Sequence, residues 1–151
     1  MRTTSTKTEK LEYDFAQQVG HLMRRAYQRH VSIFQETIPD DRLTNAQFCV
    51  LCALRDHSAS SMSEICRVTA IDQATVRGII ERLKTRGLIT VTPDDTDRRK
   101  VIVKLAPDGK SLLEEVIPAA QRISELTLAN LNPGERVALT YLLQKMADGE
   151  T

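Results

Sequence analysis

IDQATVRGIIERLKTRGLITVTPDDTDRRKVIVKL, residues 71–105, is the stretch whose reading decides the fold. Val76, Ile79, Ile80 and Leu83 recur at helical spacing within it, so Gln73 to Arg86 should form an amphipathic helix. Asp72 stands where its carboxylate can accept from the free amides of the first turn, and Gly87 marks the end. A strand should follow, then a turn carrying Pro93, Asp94, Asp95, Asp97, Arg98 and Arg99. A second strand alternates Val101, Val103 and Leu105. Helix, strand, charged turn and strand make a winged helix-turn-helix. Such a module lays one helix in the major groove of duplex DNA and carries a basic hairpin tip toward the minor groove.

Charge supports the same partner by its placement rather than its total. The chain of 151 residues has a formal net charge of only +1. Yet between Arg77 and Lys104 eight basic residues face four acidic ones, whereas from Asp108 onward four basic residues face seven acidic ones. A domain that turns one face to phosphates and keeps another away segregates charge in this manner. Hydrophobic residues at 41% and charged residues at 27% are those of an ordinary globular protein. No apolar run approaches the roughly 18 residues of a membrane span, and the start of the chain shows no signal-peptide segment, so a cytoplasmic protein without membrane contact is expected.

Working outward, residues 1–8 are small and polar and read as a flexible tail. From about Glu9 to Thr37, Leu11, Phe15, Val19, Leu22, Ala26, Ile33 and Phe34 recur every three to four positions, which predicts one long helix. Thr44 followed by Gln47 is a capping box for a helix over Ala46 to Asp56. The Ser-rich SASS comes next, then a short helix near Met62 to Val68. Residues 107–151 read as two helices; Pro118 should kink the first, and Asn132-Pro133-Gly134-Glu135 opens the second. The expected architecture is mainly α with a small β-wing. A DNA-binding region over residues 41–106 is flanked by an N-terminal dimerisation helix over 9–40 and C-terminal dimerisation helices over 107–151. The flanking apolar stripes exceed what one small core can cover, which points to an interlocked homodimer reading palindromic DNA.

Other chemistries find little support. Cys49 and Cys52 form a C-x-x-C inside the apolar run FCVLCAL, and with Cys66 they read as small core residues rather than an exposed redox pair. The spacing of His21, His30 and His57 supplies no metal site, and no cofactor is expected. Gly20, Gly78, Gly87, Gly109, Gly134 and Gly149 are scattered singly, so no loop cradles a phosphate and no enzyme is implied.

The chain resembles the MarR family of bacterial transcription regulators. Leu43-Thr44-Asn45-Ala46-Gln47-Phe48, Asp72-Gln73-Ala74-Thr75-Val76, Arg82-Leu83 with Arg86-Gly87-Leu88-Ile89, and Asp97-Arg98-Arg99 carry the likeness. So does Val103 to Lys110, which leads into the fifth helix. The resemblance implies a dimeric repressor released from DNA by small phenolic or other aromatic acids, less often by thiol oxidation. Arg77 and Gly78 depart from the Thr and Arg that the family often carries there, so base preference does not transfer. Gly78 costs about 1 kcal/mol within a helix, and a close backbone contact is therefore expected at it.

Roles follow from side-chain chemistry. Gln73, Ala74, Thr75 and Arg77 lie on the first turns of the recognition helix: Gln73 suits adenine, the methyl of Ala74 or Thr75 suits thymine, and Arg77 suits guanine or a phosphate. Asp97 can hold Arg99 extended, and the resemblance implies that Arg99 enters the minor groove with Arg98 beside it. Ser61 and Ser63 suit phosphate contacts or helix caps equally. On the first helix, His21, Arg25 and Gln28 share a face with the donors to bind an aromatic carboxylate between that helix and the DNA module. A surface or dimer salt-bridge network is the alternative for this cluster. HLMRRAYQ is similar to a subgroup governing breakdown of aromatic and heteroaromatic acids, hydroxycinnamates and nicotinate derivatives among them. A thiol-sensing repressor and a winged-helix protein-interaction module are the rival functions.

Overall fold

The structure, a computed structural model, describes residues 12–149. The tail over residues 1–8, the helix start at Glu9 and the apolar position Leu11 lie outside the described residues. The helices are α1 (Val19–Thr37), α2 (Asn45–His57), α3 (Met62–Thr69), α4 (Gln73–Thr85), α5 (Pro107–Thr127) and α6 (Pro133–Asp148). The strands are β1 (Ser60–Ser61), β2 (Ile89–Pro93) and β3 (Val101–Leu105).

Capping chemistry sets most boundaries. Thr44, Ser61 and Asn132 each close a reciprocal box with Gln47, Glu64 and Glu135. Gly87, at φ +72°, takes the left-handed conformation that turns the chain from α4 into the wing. The start of α1 differs from expectation. A short 3-10 turn occupies Phe15–Gln17, and Gln18 is extended before α1 begins. The Asp14 carboxylate accepts from the Ala16 amide at 3.1 Å, and the Gln18 side chain donates to the Asp14 carbonyl at 2.8 Å. These local bonds compete with the helical ladder and break the long helix that the apolar periodicity predicted. α5 runs unbroken through Pro118, which is exposed.

SASS is more than a linker. Ser60 and Ser61 pair with Val103 and Ile102, adding a third antiparallel strand to the wing in the order β1-β3-β2. β2 and β3 pair from Ile89 opposite Leu105 to Pro93 opposite Val101. The sheet therefore ties the front of α3 to the wing.

The core lies within the DNA-binding lobe. Val76, Ile79, Ile80 and Leu83 from α4 meet Val50, Leu51 and Leu54 from α2, Ile65 from α3 and Val103 from β3; Phe34 from α1 and Leu113, Val116 and Ile123 from α5 close it. α6 buries no residue in its own chain. Val19, Leu22, Met23 and Tyr27 on α1, with Val137, Tyr141, Leu142 and Met146 on α6, stay exposed. Among the described residues nothing crowds Gly78: a Cβ there would meet no atom within 4 Å, whereas one at Gly109 would lie 2.1 Å from the Leu88 carbonyl oxygen.

Asp40, in the loop after α1, accepts a hydrogen bond from the Arg86 guanidinium at the end of α4, with side chains only 15% and 18% exposed. Burial alone would raise the Asp40 pKa, but the Arg86 hydrogen bond, the Arg42 amide and the two arginine charges outweigh it and hold the carboxyl below its ordinary value. A depressed folded-state pKa adds stability that is full above the unfolded pKa, near ~4, and is lost as pH falls through the folded value. Asp40→Asn should therefore destabilise by roughly 1–3 kcal/mol at neutral pH. The gap to the parent in chemical denaturation should close on acidification. A gap that persists in acid would show that charge is not what Asp40 contributes.

Candidate nucleic-acid interface and effector face

The start of α3, the recognition helix and the wing meet at one cleft of about 480 Å³, lined by Ser61, the N-cap of α3, Ser63 of α3, Gln73, Arg77 and Glu81 of α4, and Arg99 and Lys100 of the wing. The core-facing stripe of α4 fixes this, because burying Val76, Ile80 and Leu83 leaves Gln73 and Arg77 on the flank toward β1 and β3. Lys100 was missed by the sequence reading. Its nearness to Arg77 depends on the register of the hairpin, which composition does not reveal.

Within the cleft Ser61 serves as a cap: its hydroxyl accepts from the Glu64 amide at 3.2 Å and lies 3.2 Å from the Ser63 hydroxyl. Ser63 is exposed and free to turn its hydroxyl outward. Ala74 and Thr75 are exposed on the first turn of α4, outside the cleft lining. Asp72 caps that turn, with its Oδ2 accepting from the Thr75 amide at 3.0 Å and its Oδ1 from the Thr75 hydroxyl at 2.6 Å. The hydroxyl bond, then the amide bond, hold the Asp72 carboxyl below its usual pKa.

The wing tip is ordered by its own acids. Asp94 accepts from the Thr96 amide and hydroxyl at 2.9 and 2.8 Å, and its amide donates to the Lys100 carbonyl at 3.0 Å. Asp97 Oδ1 accepts from the Arg99 amide at 3.1 Å and from Arg99 Nε at 3.3 Å. With 92% of the Arg99 side chain exposed, this ion pair adds little stability. Its effect is to orient the guanidinium. Arg98, expected beside Arg99, lines a different groove on the outer wing with Thr92, Asp94, Asp95, Ile102 and Lys104.

The α1 cluster stands apart from these clefts. The body-facing side of α1 carries Tyr27, whose hydroxyl accepts from the Asn45 amide group at 3.0 Å, His30 and the buried Phe34. Thr127 donates its hydroxyl to the Ile123 carbonyl at 2.8 Å, so the 2.8 Å contact with His30 Nδ1 has the neutral imidazole donating. Burial lowers the His30 pKa and favours that neutral ring. Arg29 adds a bond to the Thr127 carbonyl at 3.1 Å. His21, Arg25 and Gln28 fall on the opposite side by helical spacing. Arg25 and Gln28 are exposed, and the His21 ring packs on Phe15 at 4.3 Å between centroids. That face looks away from its own DNA-binding lobe. The Tyr27–Asn45 and His30–Thr127 joins, which dock α1 on α2 and on the end of α5, were not anticipated.

All three cysteines are half-buried at the edge of the core rather than within it. Burial raises the Cys49 pKa and pushes Cys52 up to about 11, so both are protonated at neutral pH.

Known proteins fit this geometry closely. The sequence pattern of the MarR family matches residues 43–100, the span from the start of α2 to the wing tip. The HTH-type transcriptional repressor NicR of Pseudomonas putida is 54% identical over 147 residues, which cover 97% of this chain and 93% of the repressor. The chain belongs to the MarR family. It is thus a DNA-binding transcription regulator with the winged-helix fold. Among solved structures, Bordetella bronchiseptica BpsR, whose DNA binding is regulated by 6-hydroxynicotinic acid, superposes with a TM-score of 0.86 at 60% identity over 91% of this chain and 99% of that one. A mutant Escherichia coli MarR complexed with operator DNA superposes with a TM-score of 0.78 at 27% identity over 89% of this chain and 99% of that one. Among the MarR-family features here, the cleft between α4 and the wing and the uncovered apolar faces of α1 and α6 bear most directly on function.

Proposed function

We propose that this chain acts in the cytoplasm as a homodimeric repressor that holds a near-palindromic operator until a small aromatic acid binds. The observation that carries the reading is the cleft in which Ser61, Ser63, Gln73 and Arg77 converge with Arg99 and Lys100. Gln73, Ala74, Thr75 and Arg77 meet base edges from the major groove, Ser61 and Ser63 meet phosphates, and Arg99, held by Asp97, enters the minor groove. Arg98 meets the backbone from the outer wing. The exposed apolar residues of α1 and α6 support the dimer, because a lone chain would leave that area in water. Residues 12–40 and 107–149 thus serve dimerisation, and residues 41–106 serve DNA.

The effector is an aromatic carboxylate of the hydroxynicotinate, benzoate or hydroxycinnamate kind. Its support is the 60% identity to a regulator that responds to 6-hydroxynicotinic acid, together with the donors of α1. Arg25 takes the carboxylate, His21 and Gln28 assist, and the site is completed by the second copy, since this face turns away from its own lobe. Calorimetric titration of the free dimer with 6-hydroxynicotinate should show binding. Operator should weaken that binding by the factor by which the acid weakens operator binding, a coupling of about 1–3 kcal/mol. Arg25→Ala should abolish the heat. Heat lost in His30→Ala but kept in Arg25→Ala would move the site to the body-facing side of α1. No heat from any aromatic acid would overturn the effector class. A thiol switch at Cys49 or Cys52 is disfavoured by their burial, which raises both pKa values.

A further inference from the structure

We propose that Thr75 reads thymine through its methyl group, and that the Asp72 cap favours this by occupying the hydroxyl proton. The inference rests on the assignment of α4 to the major groove and names one specificity-determining residue within it. Thr69, Thr85, Thr127 and Thr140 each donate their hydroxyl to the carbonyl four residues back. Thr75, in the first turn, donates instead to Asp72 Oδ1 at 2.6 Å, while its amide donates to Oδ2 at 3.0 Å. A hydroxyl bonded to an ionised carboxylate at this distance is a strong, charge-assisted donor that a base acceptor does not readily reclaim. The single hydroxyl proton of Thr75 is therefore committed within the protein. What an exposed Thr75 still offers a base edge is its Cγ2 methyl and the acceptor lone pairs of Oγ1, with no donor left for the acceptors of guanine or thymine. The thymine 5-methyl is the apolar group displayed in the major groove, so thymine is the base that gains from the contact.

Arg77 and Gln73 carry fork-shaped hydrogen-bonding groups suited to guanine and adenine; Thr75 supplies the complementary apolar test. The cap makes the selection sharper, because a free threonine hydroxyl could rotate to satisfy several bases. Once committed, the residue presents no donor, and valine, which lacks the hydroxyl oxygen as well, isolates what the methyl alone contributes.

The test uses operator selected from genomic fragments, with thymines replaced by deoxyuridine at symmetry-related pairs of positions. One pair should weaken binding about fourfold per half-site, the worth of one buried methyl. Thr75→Ser keeps the hydroxyl and the cap but lacks the methyl, so it should bind thymine and uracil operators equally. Thr75→Val keeps the methyl and the Asp72 amide bond, so it should discriminate as the parent does. A Thr75→Ser protein that still prefers thymine, or a Thr75→Val protein that no longer does, overturns the proposal. A parent that binds operator yet ignores every uracil overturns this inference alone. A parent that binds no duplex overturns the regulator reading with it.

Discussion

Gly109→Ala should lower the stability of the folded protein by about 3 kcal/mol, the upper end of the range for forcing extra volume into a packed site. The added Cβ would lie 2.1 Å from the Leu88 carbonyl oxygen and 2.9 Å from Leu105 Cδ1. Leu105 can change rotamer; the carbonyl cannot yield so cheaply. It accepts the Ala106 amide at 2.9 Å, the bond that joins the entrance of the wing to the entrance of α5. Displacing it would loosen the hinge between the reading lobe and the α5 helix. Gly78→Ala is the internal control: its Cβ meets nothing within 4 Å, so removing a mid-helix glycine should stabilise by up to about 1 kcal/mol. Urea unfolding at one fixed protein concentration, needed because a dimer's stability depends on it, should give midpoints ordered Gly78→Ala, parent, Gly109→Ala. A Gly109→Ala protein as stable as its parent would mean that α5 does not approach the wing this closely.

Arg99→Ala should weaken operator and non-operator DNA alike, by roughly ten- to a hundredfold, about 1.4–2.7 kcal/mol for a dimer losing the residue from both wings. A minor-groove arginine reads width and potential more than base identity, so sequence preference should survive. The dependence of affinity on salt should become shallower by about one unit for each arginine removed. Asp97→Ala should act in the same direction but less, because Arg99 keeps its charge and loses only the contacts at 3.1 and 3.3 Å that orient it. Arg77→Ala should behave differently. Lining the cleft from the recognition helix, Arg77 should shift which sequences are preferred, at about 1–3 kcal/mol for a bidentate base contact. Gel-shift titrations against operator and scrambled duplexes separate the outcomes. An Arg99→Ala dimer that is folded and undiminished on both duplexes would remove the wing from the interface.

The winged module was legible because its signals are local. Val76, Ile79, Ile80 and Leu83 announce the buried face of α4, and all four are buried. Thr44, Asp72 and Asn132 announce helix starts, and each caps one, since a cap needs only the amides two or three residues ahead. The same local logic erred at the N-terminal helix. There Asp14 and Gln18 tie up backbone groups that apolar periodicity does not register.

By itself, then, the sequence determined most of the helical segments, the two long strands of the wing, the module they compose and the family to which the chain belongs. These depend on side chains within a turn or two of one another. Tertiary structure alone decided that SASS becomes an edge strand, that Lys100 joins Arg77 while Arg98 faces the outer wing, and that Gly109 rather than Gly78 is the crowded glycine. It also decided that His21, Arg25 and Gln28 face away from their own lobe. Each of these turns on which atoms meet across long chain separations: the β1–β3 register, the Leu88 carbonyl beneath α5, the docking of Tyr27 and His30. Such meetings are set by the packing of the whole core, and no short window of sequence contains both partners.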